Sequence, residues 1–530
     1  MPPVIDTSAA EFAKALELFL AEHPGAALYE DGRVLFEMET ARYSLSAEHG
    51  RCTLHLWSEE RNLVRTIVGL ESRKGMLRLL ATRFGQTRPQ TLQLMADRDQ
   101  RTPSTRNASR TRYMRLLERV LGRSFPELKV DGMRTAMDLE HSFGPAYARG
   151  FLVRGTHAFA VIGVNASEGQ ATIDGVLTLG ILWLAHCREH GGNRRLFQGL
   201  KVVVPAGTAE LTRSRMAALN IAMAHWELFE LDEQSEMLTQ IEVHDGNLEM
   251  HMTHAFRPDT ALERCRESVA HLLSLLPSEV RDRVQLLPRG PTEVAFLLHG
   301  LEFARARQGF SGNSFARQEQ LTFGAGANET PVNDDTEALF VDLLTRLSAS
   351  RRPGGSTSDP LYRLQPERWM ESVLRTSLKD ILPGIQQQFI YTQVPAFARG
   401  DRGMLDLLSV DKNGRLVVIE LKANEDLHLP LQGLDYWLRV RWLNRQGRER
   451  GAVGDFERNG YFTTESSQPV LSTAAPLLCF VAPALRIHPA NEVVLKYVSP
   501  EVEWTIIALA EHWREKRTVV FRKHSGSPAT

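Results

Sequence analysis

Three residues near position 420 have the types and spacing to hold a divalent cation beside a fixed positive charge. They are Asp406, Glu420 and Lys422, in the stretch GMLDLLSVDKNGRLVVIELKANEDLHLPLQGLDYWLR that runs from Gly403 to Arg439. Two apolar runs flank a polar turn, Asp411-Lys412-Asn413-Gly414, which is a hairpin signal. Strand side chains alternate, so Glu420 and Lys422 share one face while Ile419 and Leu421 take the other. A two-residue Asn-Gly turn would oppose Asp406 to Leu421 and put the acid on the wrong face. A three-residue loop, Lys412 to Gly414 with Gly414 left-handed, opposes Asp406 to Glu420 and gathers Leu405, Leu407, Ile419 and Leu421 on one apolar face. The apolar pattern selects the longer loop. Directly opposed residues carry Cβ atoms roughly 4.5–5.5 Å apart, close enough for two carboxylates to share one cation. A solvated hairpin face with two acids and a lysine is the competing reading. Against it, both runs are otherwise almost uniformly apolar, as in a strand covered on both sides, where charge is costly unless paired or metal-bound.

The elements that would position these groups follow from the flanking sequence. A helix comes next, opened by Pro430 in its first turn, with Gln432, Tyr436 and Arg439 at i, i+4 and i+7 on one side. Upstream, Pro366-Glu367-Arg368-Trp369-Met370-Glu371 opens another helix. In this order the residues resemble the signature of the PD-(D/E)xK nuclease superfamily: Asp406, thirteen intervening residues, then Glu420-Leu421-Lys422. Gln432 to Tyr436 is similar to the Q-x-x-x-Y helix of the RecB-like and NucS-like branches, and Glu371 to the extra acid of their first core helix. The resemblance covers about residues 361–525; Met404-Leu405 stand where the superfamily name expects a proline. It implies a restriction-endonuclease-like αβββαβ core that hydrolyses phosphodiester bonds. It also implies Mg²⁺ or Mn²⁺ held by Asp406, Glu420, the Leu421 carbonyl and Glu371. Lys422 would stabilise hydroxide and the developing phosphate charge, with Gln432 and Tyr436 orienting Lys422 or the phosphate.

The whole chain is consistent with a multidomain α/β protein. At 530 residues it is too long for one core, and about two to four domains are expected. Net charge is −1, so any nucleic-acid surface must be local. The four cysteines (Cys52, Cys187, Cys265, Cys479) show no paired spacing, which argues against zinc ribbons and disulfide frameworks and for a reducing compartment. His186 and His190 with Cys187, and the His244/His251/His254 group, read as structural rather than as zinc sites. The longest apolar run, Val176 to Cys187, is too short to span a bilayer, so no membrane association is expected. Acids at Asp6 and Glu11 and no basic-then-apolar pattern leave no expectation of a signal peptide, and a cytoplasmic location is the default.

In chain order, residues 1–97 read as a helix plus a small β-rich domain and 98–130 as a basic helical connector. Fifteen Lys and Arg face four acids between Arg61 and Arg123, suggesting phosphate contacts by Arg106, Arg110 and Arg112 among others. Residues 131–245 read as a degenerate copy of the C-terminal module. Residues 158–185 lie without gaps on 415–442, with Val161, Ile162, Ala166, Glu168 and Leu177 on identical residues. In that alignment the active positions become Arg149, Gly163, Asn165, Gly175 and Leu179, which can build no metal site. Residues 246–323 read as a mixed α/β extension, 324–360 as a linker around a short helix, and 361–530 as the nuclease-like domain. Arg439, Arg441 and Arg445, with Arg448 and Arg450, are expected beside the cleft as phosphate contacts. Phe456, Tyr461 and Phe462 are candidates to stack an unpaired base.

The expected function is a metal-dependent endonuclease on DNA of branched, mismatched or single-stranded structure, in repair or defence. One live site per chain would cut one strand, and a double-strand break would take a homodimer. A non-catalytic nucleic-acid-binding scaffold and an RNA-directed nuclease remain the alternatives.

Overall fold

The computed structural model describes residues 9–526 except 31–32, 39–40, 48–51, 58–61, 74, 83–88, 97–102, 139–141, 192–194, 244–257, 311–316, 327–329, 396–402, 447, 449–453 and 464–469. The chain is mixed α/β and falls into two compact units, each drawn from two separate stretches. Unit 1 comprises residues 1–102 and 256–373; unit 2 comprises residues 103–255 and 374–530. Among the described residues no helix is long and apolar enough to cross a membrane.

Unit 1 contains two antiparallel sheets. The first has seven strands, ordered Arg33–Glu37, Ala27–Glu30, Gln90–Met95, Met76–Thr82, Asn62–Arg73, Cys52–Trp57 and Arg42–Ser46. Their alternating pattern presents Leu54, Leu56, Ile67 and Leu79 to one side, where helix Ala9–Glu22 buries Phe12, Leu16, Phe19 and Leu20. The second is a five-stranded meander from Val284–Gly290 to Thr330–Pro331. The stretch 324–360 is therefore no linker. It carries helix Glu337–Ser350, whose Phe340, Leu344 and Leu347 are buried in the meander's core. Arg351 follows, buried, donating to the carbonyls of Leu298, His299, Leu361 and Leu364.

Unit 2 contains the same order of elements twice. The first module is α1 (Pro103–Ser124), β1 (Lys129–Arg134), β2 (Tyr147–Arg154), β3 (His157–Val164), α2 (Val176–His190), β4 (Leu196–Pro205), α3 (Ala209–Ala217), β5 (His225–Asp232) and β6 (Met237–Ile241). The second is preceded by α4 (Pro366–Ile381), which begins in unit 1 and ends in unit 2. It continues with β7 (Tyr391–Pro395), β8 (Met404–Val410), β9 (Leu416–Leu421), α5 (Leu429–Arg445), β10 (Leu477–Pro483), α6 (Pro489–Lys496), β11 (Trp504–Leu509) and β12 (Val519–His524). Each module forms a six-stranded sheet ordered 1-2-3-4-5-6 along its own strands, parallel through the three central strands and antiparallel outside them. The central strand LLCFVAP is apolar on both faces because both are covered, while in its counterpart LKVVVP the one charge, Lys201, is paired with Glu227.

Residues 98–130 are thus more than a connector. Helix α1 starts at Pro103 and covers the outer face of the first sheet, with Tyr113, Leu117, Val120 and Leu121 on Ala148, Leu152, Val161 and Val203. The other faces of both sheets, with α2 and α5, share a single core.

Candidate active site

Hairpin β8–β9 sets the geometry. Leu407 pairs with Ile419, Leu408 with Val418 and Val410 with Leu416, so Asp406 and Glu420 are next in the same register. The loop is Lys412–Gly414: Asp411 N–H donates to Arg415 O at 2.9 Å, and Gly414 takes φ 79°. Only glycine holds that conformation without strain. Leu408, Val410, Leu416 and Val418 lie in the core under α5, and alternation brings Glu420 out on that same side, where it is buried. Asp406 Oδ2 accepts from the Leu421 N–H at 3.0 Å, fixing one carboxylate against the strand that carries the other.

Helix α5 supplies the opposite wall. The Tyr436 hydroxyl has its pKa raised by burial, and further by Glu420 and then Asp406, so it stands before both carboxylates as a neutral phenol. Gln432, one turn earlier, keeps a buried Oε1 that accepts no hydrogen bond among the described residues. Arg439 is buried and lies with its guanidinium 5.6 Å from the Tyr436 ring, so it forms part of this wall instead of reaching outward to a phosphate backbone. Arg441 pairs with Glu501 at 2.9 Å, Arg445 is exposed, and Arg448 pairs with Glu457. Arg450 lies outside the described residues. Phe456, Tyr461 and Phe462 are buried and pack edge-on against each other, so they anchor the fold and offer no stacking platform.

Lys422 leaves β9 one residue past the strand, with its N–H still bonded to Val481 O at 3.1 Å. Its ammonium is 3.5 Å from Asp426 Oδ2, a partner that the sequence pattern did not single out. Gln393 is a second such residue. It lies between the pairs Thr392–Leu407 and Val394–Leu405, opposite Asp406, and donates to Asp406 Oδ1 at a long 3.5 Å. It does so from a left-handed backbone, φ 52°, in a buried strand. A lone glutamine in an extended run carries no signal for either property.

The donor set suits a hard cation. Two carboxylates in register and the Leu421 carbonyl would offer it oxygen atoms, the donor type that magnesium prefers while keeping waters in its remaining positions. Among the described residues no three Asp, Glu, His or Cys side chains gather into a metal-sized group, and Glu371 lies in the other unit. It pairs with Arg368 at 2.9 Å, one turn back on α4. The same absence covers His186, Cys187 and His190, whose imidazoles stack at 4.3 Å beside a buried thiol. His244, His251 and His254 lie outside the described residues.

Among its described residues the first module carries no such site, though its counterparts differ from the gapless alignment. Gly163 faces α1, where an added Cβ would meet Tyr113 and Leu117; Ile162 faces α2. Glu420 and Lys422 therefore correspond to Ile162 and Val164, one residue earlier than aligned. Arg149 pairs with Ile162 as Asp406 is placed against Glu420, so it remains the counterpart of Asp406. On the helices, Gly180 and Gly433 make the same close approach to the sheet, on Leu200 and Ile162 in one and Phe480 and Leu478 in the other. Gln432 and Tyr436 then match Leu179 and Trp183. Arg149 is buried between Phe143 and Trp183, 4.7 and 5.8 Å from their rings, and burial with Arg134 nearby pushes its pKa down to about 10. A fixed cation stands where the other module has an acid.

The basic stretch divides between the units. Arg110 forms a bidentate pair with Glu168 at 2.7 and 3.1 Å, Arg112 is exposed, and the Arg106 side chain lies outside the described residues. Arg119 and Arg123 both engage Glu236, and Arg65 is buried in unit 1.

Comparison with known proteins adds little. No family model matches the chain, and no curated protein matches it. Among solved structures, a crystal structure of a repair endonuclease from Pyrococcus abyssi aligns with 43% of this chain and 96% of that one. Identity is 11% and the TM-score 0.16, too loose a superposition to carry an argument.

Proposed function

We propose that the chain is a divalent-metal-dependent nuclease with one active site, built on hairpin β8–β9 and helix α5 of the second module. The observation that carries this reading is the register that sets Asp406 against Glu420 on the side facing Tyr436. Two opposed carboxylates in a buried face repel unless a cation lies between them. Asp406, Glu420 and the Leu421 carbonyl would hold Mg²⁺ or Mn²⁺, which when bound supplies an activated water and neutralises phosphate charge. Lys422 contributes a fixed ammonium on the Glu420 face, placed to stabilise the charge that builds on the phosphate during attack. Tyr436, kept protonated, donates a hydrogen bond and does not act as a base. Gln432 offers a carbonyl oxygen to a water or a protonated leaving group.

DNA of branched, mismatched or single-stranded structure is the proposed substrate, cut one strand at a time because the first module lacks acids at the matching positions. The test is incubation of the protein with plasmid, branched, single-stranded DNA and RNA, each with Mg²⁺, Mn²⁺ or EDTA. Metal-dependent cutting that Lys422→Ala slows by about 10²–10⁴ supports the reading. Binding without cutting under every metal replaces it with a non-catalytic scaffold, and preference for RNA replaces the substrate.

A further inference from the structure

The two modules of unit 2 meet along a pseudo-two-fold seam. Asn220 N–H donates to Tyr497 O and Ser499 N–H donates to Ala218 O, each at 2.8 Å, around the antiparallel bridge Leu219–Val498. Ala218 and Tyr497 are the first residues past α3 and α6, so these are one hydrogen bond made twice, as across the isologous interface of a symmetric dimer. Consistent with that axis, α2 packs on α6 and α5 packs on α3.

Two polar links to the catalytic helix break the symmetry. Arg215, buried on α3, forms a bidentate pair with Asp435 of α5 at 2.9 and 2.7 Å and donates to Asp174 O at 2.6 Å. By the offset that relates the two halves, its mate and that of Asp435 are Val494 and Leu182, both apolar and buried. Thr178, buried on α2, lies 3.1 Å through its hydroxyl from His428 Nδ1, at the start of α5. The mates there are Leu431 and Gly175. Gly175 also makes room: a Cβ on it would lie 2.8 Å from His428 Cε1. His428 N–H in turn donates to Asp426 Oδ1 at 2.8 Å, and Asp426 holds the Lys422 ammonium. Packing alone would treat both directions alike. These two links reach the segment that carries the chemistry, while Arg188 on the Tyr497 hydroxyl at 3.3 Å and Ser142 on His488 Nε2 at 3.5 Å tie the first module to the two ends of α6.

We propose that the first module is the in-chain positioning partner of the second: Thr178 and Arg215 fix residues 426–436, and with them the Asp426 counter-ion of Lys422 and the Gln432 and Tyr436 wall. The catalytic half of this statement rests on the nuclease reading; the positional half does not. Amide exchange read by mass spectrometry on the full-length protein tests the positional half without substrate. In Thr178→Val and Arg215→Met, the peptide spanning 422–436 exchanges about tenfold faster, the scale of one lost buried hydrogen bond, while β3, β4, β9 and β10 are unchanged. Thr178→Ser, which keeps the hydroxyl, restores protection. Wild-type exchange of 422–436 in both variants overturns the proposal. So does uniform loosening of both modules that Thr178→Ser fails to rescue, which is general destabilisation. If Arg215→Met does not fold, the near-isosteric Thr178→Val carries the test alone. The functional half is read on plasmid DNA with Mn²⁺. Thr178→Val lowers kcat about tenfold with KM and calorimetric Mn²⁺ affinity unchanged, and Thr178→Ser recovers it. A wild-type chain that cuts nothing, with the exchange result intact, sinks the nuclease reading and leaves the positional one standing.

Discussion

Gln393 holds Asp406 from a backbone conformation that a glutamine adopts only under strain. Such residues cost of order 1–3 kcal/mol and persist where the surrounding structure enforces them. Gln393→Gly removes both the strain and the amide. The expected result is a melting temperature equal to or above that of the parent, measured by calorimetry, and, under the proposed nuclease function, activity down about tenfold, the usual effect of losing a group that orients a metal ligand. A fall in both would make Gln393 merely structural. The placement of Asp406 and Glu420 on the side facing Tyr436 was legible because strand alternation and helical spacing fix which side chains share a face. Gln393 and Asp426 were not, since their roles arise from a strand pairing and a loop path that leave no periodic trace. Arg439 was not legible either: a cation late on this helix suggests phosphate contact, yet its place on the helix buries it beside Tyr436.

Hairpins, helices and their order depend on local pattern, and at this scale the sequence was most informative. The Lys412–Gly414 loop was readable because only one loop length keeps the apolar face continuous. Gly414 is also confined from outside: a Cβ there would lie 2.1 Å from Val470 O. Gly414→Ala is expected to lower stability by about 2 kcal/mol from its left-handed φ alone, read as a shift in the denaturant midpoint, and to depress cleavage with it. The repeat was recognised but its phase was not. Identities such as Val161 on Val418 drew the alignment one residue out, and that inverts the face of every side chain in the strand. The irregularity between Ala158 and Phe159, and the extra helix Gln170–Asp174 before α2, shift the copies by different amounts in strand and helix. A gapless comparison sees neither.

At the scale of the molecule, composition had suggested one basic face and one linker. The structure divides the basic stretch between two units and turns the linker into a core helix, because contacts distant in sequence decide both. Stability should also respond to pH through unit 1. His299 is stacked on Trp369 with ring centroids 5.0 Å apart, and burial, with Arg351 next, lowers its pKa to about 4. The unfolded chain binds its proton near pH 6.5, so between 6.5 and 4 the unfolded state holds more protons. The stabilisation is complete above pH 6.5 and is lost as pH falls toward 4, on the order of 1 kcal/mol by pH 5. Melting curves at pH 7.5 and 5 measure it, and His299→Gln should flatten the difference in unit 1.

Each unit draws on an early and a late stretch, and the two pairs interleave along the chain. During synthesis the first module therefore emerges before the helices that pack on it, and it must wait through the whole of residues 256–373 with the outer face of α2 and α3, later covered by α6 and α5, left open. That face is a stretch of apolar surface open to chaperones and to neighbouring nascent chains. A ribosome pausing after residue 255 or after 373 would lengthen the exposure alike, since the covering helices come from 374–530.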